Sequence, residues 1–182
     1  MKFFLKFTGL VVAVVLLTTA CDTNPSLQKY YVDSKENSEF ISIDLPASIL
    51  QLKDTDVSED IQNTLETIKK VNFLALQLTE SNKDLYISEK QKVKEILKNP
   101  KYKQLMRMNM GASSVTVNYL GEEDAIDEVI IFGSDNEKGF AVIRVIGGNM
   151  NPAAILKLTQ ELKMDGDSNE LNQLGSLLSS IK

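Results

Sequence analysis

The chain has 182 residues, a formal net charge of −5, one cysteine and no histidine. That length fits a single domain with short flanks, and the apolar content is ordinary for a globular core. An acidic balance disfavours nucleic acid, and the absence of histidine removes the commonest general base and metal ligand, so Ser-His-Asp, Cys-His and zinc-hydrolase mechanisms are excluded for the chain acting alone.

Lys2 and Lys6 precede an apolar run from Leu10 to Leu17, then come Thr18, Thr19, Ala20 and Cys21. A charged start, a short apolar stretch and small residues predict a cleavable signal peptide over residues 1–20. The run is too short to remain as a span, which needs about 20 consecutive apolar residues. Leu17-Thr18-Thr19-Ala20-Cys21 resembles the lipobox of bacterial lipoproteins, with Thr18 where leucine is commonest. In that family the cysteine thiol receives a diacylglyceryl group and becomes the first residue of the mature chain. Lipidation explains an unpaired cysteine in an exported protein, and several acyl chains of the palmitate kind give stable membrane anchoring. The alternative is a soluble secreted protein with an incidental cysteine. Loss of residues 1–20 removes two lysines and no acid, taking the formal charge from −5 to −7.

Residues 21–37 are polar and aperiodic apart from Tyr30 and Tyr31, and read as the lipidated cysteine and a flexible tether, or else as a partner-binding arm. The domain is expected over 38–164. Phe40, Ile41, Ile43 and Leu45 predict a strand ended by Pro46, with a brief helical stretch at Ile49, Leu50 and Leu52. Ser58 is a candidate N-cap for a helix with Ile61, Leu65 and Ile68 on its apolar face. Residues 71–79 read as a central strand. Ser88 and Gln91 form a capping-box pattern before Val93, Ile96 and Leu97, in a helix that Asn99-Pro100 should stop.

Four β-like runs follow, at Leu105–Met110, Val115–Leu120, Val129–Phe132 and Phe140–Ile146, separated by short turn-rich connections. They predict an antiparallel meander. Asn151-Pro152 starts a helix carrying Ile155, Leu158 and Leu162, and residues 165–182 are a tail with a short helix. The fold class is α+β, with a mainly antiparallel sheet of about six strands, a C-terminal four-strand meander and helices mostly on one face.

Few constellations could carry chemistry. Asp22, Asp33, Asp54, Asp56 and Glu122-Glu123-Asp124 are candidate calcium ligands without the EF-hand spacing, and read as solvated turns. Met106, Met108 and Met110 alternate on a predicted strand, so three thioethers share a face. Such an array would suit monovalent copper, or it packs under a helix, the reading preferred without supporting His or Cys. Gly147-Gly148-Asn149 could offer N–H groups to an anion, or is a tight turn into the following helix. No cofactor is implied. A serine–lysine pair or two carboxylates remain conceivable, but no spacing marks a set.

The stretch from Tyr102 and Leu105 through Asp127-Glu128-Val129-Ile130-Ile131-Phe132 and Gly139–Gly148 to Ile155 and Leu158 resembles the small lipoproteins of the domain of unknown function 4252 family. The resemblance covers residues 38–164 and implies a lipobox ahead of one α+β domain in Gram-negative bacteria. It brings no activity and no catalytic residue. The Gly147-Gly148 pair departs from the single glycine usual in members.

The expected function is therefore a non-enzymatic envelope lipoprotein that binds another protein or stabilises an envelope assembly. A small-ligand or metal-ion module is second, and a carboxylate-dependent enzyme third. Asp22 beside Cys21 resembles the inner-membrane retention signal of enteric bacteria, and no acidic run for surface export follows, so a periplasm-facing domain is expected.

Overall fold

A computed structural model describes residues 25–46, 59–151 and 153–154. Cys21, the leader, the helical stretch expected at Ile49–Leu52 and the tail lie outside the described residues.

The chain enters the fold through a helix where a tether was expected. Helix α1 (Leu27–Lys35) is capped by Ser26, whose hydroxyl accepts the Lys29 N–H at 3.1 Å. Leu27, Tyr30 and Tyr31 fall at helical spacing and are buried in the main core, while Lys29 and Asp33 pair on the outer face. The polar outer residues hid this three-residue stripe in the sequence.

Strand β1 (Phe40–Pro46), helix α2 (Glu59–Thr67), strand β2 (Ile68–Gln77) and helix α3 (Lys83–Leu97) follow. Then come β3 (Lys103–Met110), β4 (Ser113–Gly121), β5 (Ile126–Asp135) and β6 (Gly139–Met150). The strands form one antiparallel sheet in the order β1-β2-β6-β5-β4-β3. Helix α3 carries the chain from interior strand β2 to the far edge, and the expected four-strand meander returns to seat β6 against β2. This α+β architecture agrees with the sequence expectation.

Period-two alternation divides the side chains between two faces. One face carries Leu74, Leu76, Ile130, Phe132, Phe140 and Val142 under α1 and α3, which add Leu27, Tyr30, Tyr31, Tyr86, Val93 and Ile96. The other closes a smaller core at one end, where Ile68, Val117, Tyr119, Ile126, Val129 and Met150 pack with Leu65 of α2.

Three local expectations need correction. Helix α3 starts after Asn82, not Ser88, and Ser88 Oγ donates inside the helix to the Leu85 carbonyl at 2.9 Å. Asn82 instead fastens the preceding turn, accepting the Thr79 N–H at 2.8 Å and donating to the Gln77 carbonyl at 2.9 Å. Ile68 begins β2 opposite Gly147, because sheet pairing outweighs one more helical turn. Gly147 and Gly148 lie within β6 beside irregular registers with both neighbours, not in a strand-to-helix turn. A Cβ on Gly147 would strike the Thr67 carbonyl, so close approach of α2 accounts for that glycine.

Candidate functional site

The ionisable side chains nearest the core are bound to one another. Arg144 projects from β6 among apolar residues and is 4% exposed. Its Nε donates to Glu128 Oε1 at 2.7 Å and Nη2 to Oε2 at 3.0 Å, while Nη1 donates to Gln28 Oε1 of α1 at 2.6 Å. The Tyr31 ring lies 5.9 Å from the guanidinium carbon. Beside this group, Asp44 accepts from Lys35 Nζ at 2.8 Å, from Tyr31 Oη at 2.8 Å and from Asn72 Nδ2. The Lys35 ammonium foremost, with Tyr31 and Lys70, holds the Asp44 carboxyl down at about 2. Burial first, and the bond to Asp44 next, raise the Tyr31 phenol above its ordinary range. These groups brace α1 on the sheet.

Between α1 and α3, Tyr30 Oη is buried and makes no hydrogen bond of normal geometry, although Ser34 and Glu89 lie beside it. Burial pushes its pKa up. Glu89 is committed to Lys92 at 2.6 Å.

The candidates read from sequence do not converge. Asp33 pairs with Lys29 at 2.6 Å, and Glu122 lies 3.8 Å from Lys103, while Asp22, Asp54 and Asp56 lie outside the described residues. Among the described residues no group of three or more His, Cys, Asp or Glu side chains gathers to hold a metal. Met106, Met108 and Met110 share the face away from α1 and α3. Met106 packs against the smaller core, Met108 is half-buried, and Met110 is 58% exposed. Asn151 Oδ1 accepts the N–H groups of Ala153 and Ala154 at 2.9 and 3.2 Å, the N-cap role expected of it.

Two surfaces stand out among the described residues. The first is the outer part of the face bearing those methionines. Ile41, Ile43 and Leu45 of β1, Phe73 of β2, Ile143 of β6, Ile131 of β5 and Val115 of β4 are all half-buried there. The second is a groove of about 430 Å³ on the opposite face, between the C-terminal half of α3 and strands β3 and β4. Lys94, Lys98 and Arg107 stand on its rim, and Gln104, Asn109, Ser114, Thr116 and Asn118 bring amides and hydroxyls to it. No carboxylate lines it among the described residues. Lys98 pairs with Glu95 at 2.7 Å, whereas Lys94 and Arg107 have no ion-pair partner among the described residues.

Sequence reasoning missed the Arg144–Glu128 pair and the groove. A signal existed for the first, since Arg144 shares the inward phase of Phe140 and Val142, where a charge needs a buried partner. The groove had none, because its residues come from α3, β3, β4 and β5 and meet only once α3 is seated on the sheet.

A family model described as Domain of unknown function (DUF4252) matches residues 30–158. No curated protein and no solved structure matches.

Proposed function

The chain belongs to the DUF4252 family, and we propose that it serves as a periplasm-facing envelope lipoprotein, anchored through Cys21, whose domain is a non-enzymatic protein-binding module. The observation that carries this reading is the half-buried apolar outer face running from Ile41 on β1 to Met110 on β3. Across its middle, from Ile41, Ile43 and Phe73 through Ile143 and Ile131 to Val115, the alternating positions are apolar, and the charged Lys103 and Asp135 stand at its ends. Apolar surface of this breadth is costly in water and marks a contact site in soluble domains. Its partner is an apolar-faced segment of another envelope protein, and Met108 and Met110 at one margin give the surface the adaptability that thioether side chains bring to contacts.

The anchor also limits where such a partner can be. Only residues 22–26 separate Cys21 from α1, a reach of about 17 Å for extended chain. A lipidated Cys21 therefore keeps the domain at the bilayer surface, with the Leu27 end of α1 nearest the lipid.

Crosslinking pull-down from the native envelope tests the reading, comparing wild type with Cys21→Ala and with Met108→Glu/Met110→Glu. The expected result is one protein recovered with the anchored wild type, lost with the methionine double variant while that variant stays folded and anchored. Identical recoveries from wild type and the double variant would defeat the assignment of the apolar face.

A further inference from the structure

The groove between α3 and the β3–β4 edge has the chemistry of a ligand site distinct from the apolar face. Asn118 lies on β4 opposite Ile130 of β5 and Gln104 of β3, at the floor of the groove, and is only 4% exposed. Its Oδ1 is buried without a hydrogen-bond partner among the described residues. An unmet buried amide destabilises the fold, and an apolar side chain of similar shape would avoid that cost. Its retention has a reason if a bound molecule completes its hydrogen bonds.

The rim and the floor specify different parts of that molecule. Lys94 and Arg107 have no ion-pair partner among the described residues of a chain whose formal charge is −5, and with no carboxylate among the described lining residues they favour an anion. The floor offers the Asn118 amide and the Thr116 hydroxyl, groups that both donate and accept and so match hydroxyls, which do the same. Ser114 is partly engaged, 3.1 Å from the Ser134 hydroxyl. Phe132 and Tyr102 contribute to the walls but are themselves buried, leaving no broad aromatic face on which a nucleobase could stack. A space of about 430 Å³ lies in the range of small-molecule sites and suits one or two sugar rings. We infer that the groove binds an anionic saccharide, its phosphate or carboxylate held by Lys94 and Arg107 and its hydroxyls by Asn118 and Thr116.

Isothermal titration of the full-length protein in detergent tests this, with glucose 6-phosphate and glucuronate as probes and glucose and inorganic phosphate as controls. Saturable binding of at least one anionic sugar, tenfold or more tighter than both controls, is expected. Arg107→Gln and Asn118→Leu should each weaken it about tenfold. Asn118→Leu should leave the urea midpoint unchanged or raised, which separates a binding role from a folding one. Inorganic phosphate binding as tightly as the sugars would reduce the groove to a bare anion site and overturn the saccharide assignment. Failure of both acidic sugars to bind at about 10 mM would overturn the site altogether, as would a lowered urea midpoint for Asn118→Leu with sugar affinity unchanged.

Discussion

Arg144 on β6 and Glu128 on β5 meet diagonally across the sheet, one pair off direct register, and close a two-bond fork beneath helix α1. Glu128 stands opposite Ile146, and Arg144 stands opposite Ile130. The third guanidinium nitrogen reaches Gln28, so the same charge that satisfies the sheet also holds the first turn of the helix.

Breaking that fork from one side leaves a buried charge without its counterion. Glu128→Gln or Arg144→Met should each lower unfolding free energy by about 3–5 kcal/mol in urea titration. The double variant Arg144→Met/Glu128→Leu should recover most of the loss, since desolvation of both charges is then avoided. Losses that add in the double variant would contradict a direct coupling.

Helix α1 is integral to the domain. Leu27 is 1% exposed, and its backbone N–H donates to the Tyr102 hydroxyl at 3.0 Å. Leu27→Ala should cost roughly 2–5 kcal/mol, as core truncations do, and Ser26→Ala about 1 kcal/mol through the lost cap. Thermal unfolding with both variants at wild-type stability would restore the tether reading of this segment.

The Asp44 carboxyl, depressed to about 2 chiefly by Lys35, predicts an acid limb of stability. A carboxylate with a lowered folded pKa stabilises the native state above its unfolded value, and the contribution is lost as pH falls from about 4 towards 2. Asp135 is lowered in the same sense by Ser113 and the N–H groups of Glu137 and Lys138. Urea midpoints measured from pH 5 to 2 should therefore fall less steeply for Asp44→Asn than for wild type, with a residual slope left by Asp135. Equal slopes would show that Asp44 gains nothing from its partners on folding.

Two glycines with positive φ should respond differently to the same change. Gly139 has φ +122 and a Cβ there would strike the Leu76 carbonyl, whereas Gly111 has φ +63 with open space around it. Gly139→Ala should cost on the order of 3 kcal/mol and Gly111→Ala about 1 kcal/mol, the latter from backbone conformation alone. Equal losses in chemical denaturation would mean that the contact at Gly139 is relieved by movement of β2.

Periodicity made much of this architecture readable in advance. Alternation over Phe40–Leu45 and through the four runs after Leu105 marked strands, short turn-rich connections marked the meander, and Asn151 announced a helix start. These are signals within a few residues, set by backbone geometry and by which side chains must leave water. Helix starts were harder: Ser88 offered a capping pattern, yet Asn82 lies at the start because its side chain is used by the turn before it.

Long-range pairing carried no comparable local mark. Nothing near Val71 or Phe140 specifies that β6 settles beside β2, or that α1 crosses back to meet Arg144 at a separation of 116 residues. Those choices follow from burying two apolar faces at once while every buried charge finds a partner, conditions that hold for the assembled sheet and not for any segment. The groove is a product of the same assembly, since Lys94 and Leu97 of α3, Arg107 of β3 and Asn118 of β4 become neighbours only after α3 has carried the chain to the far edge.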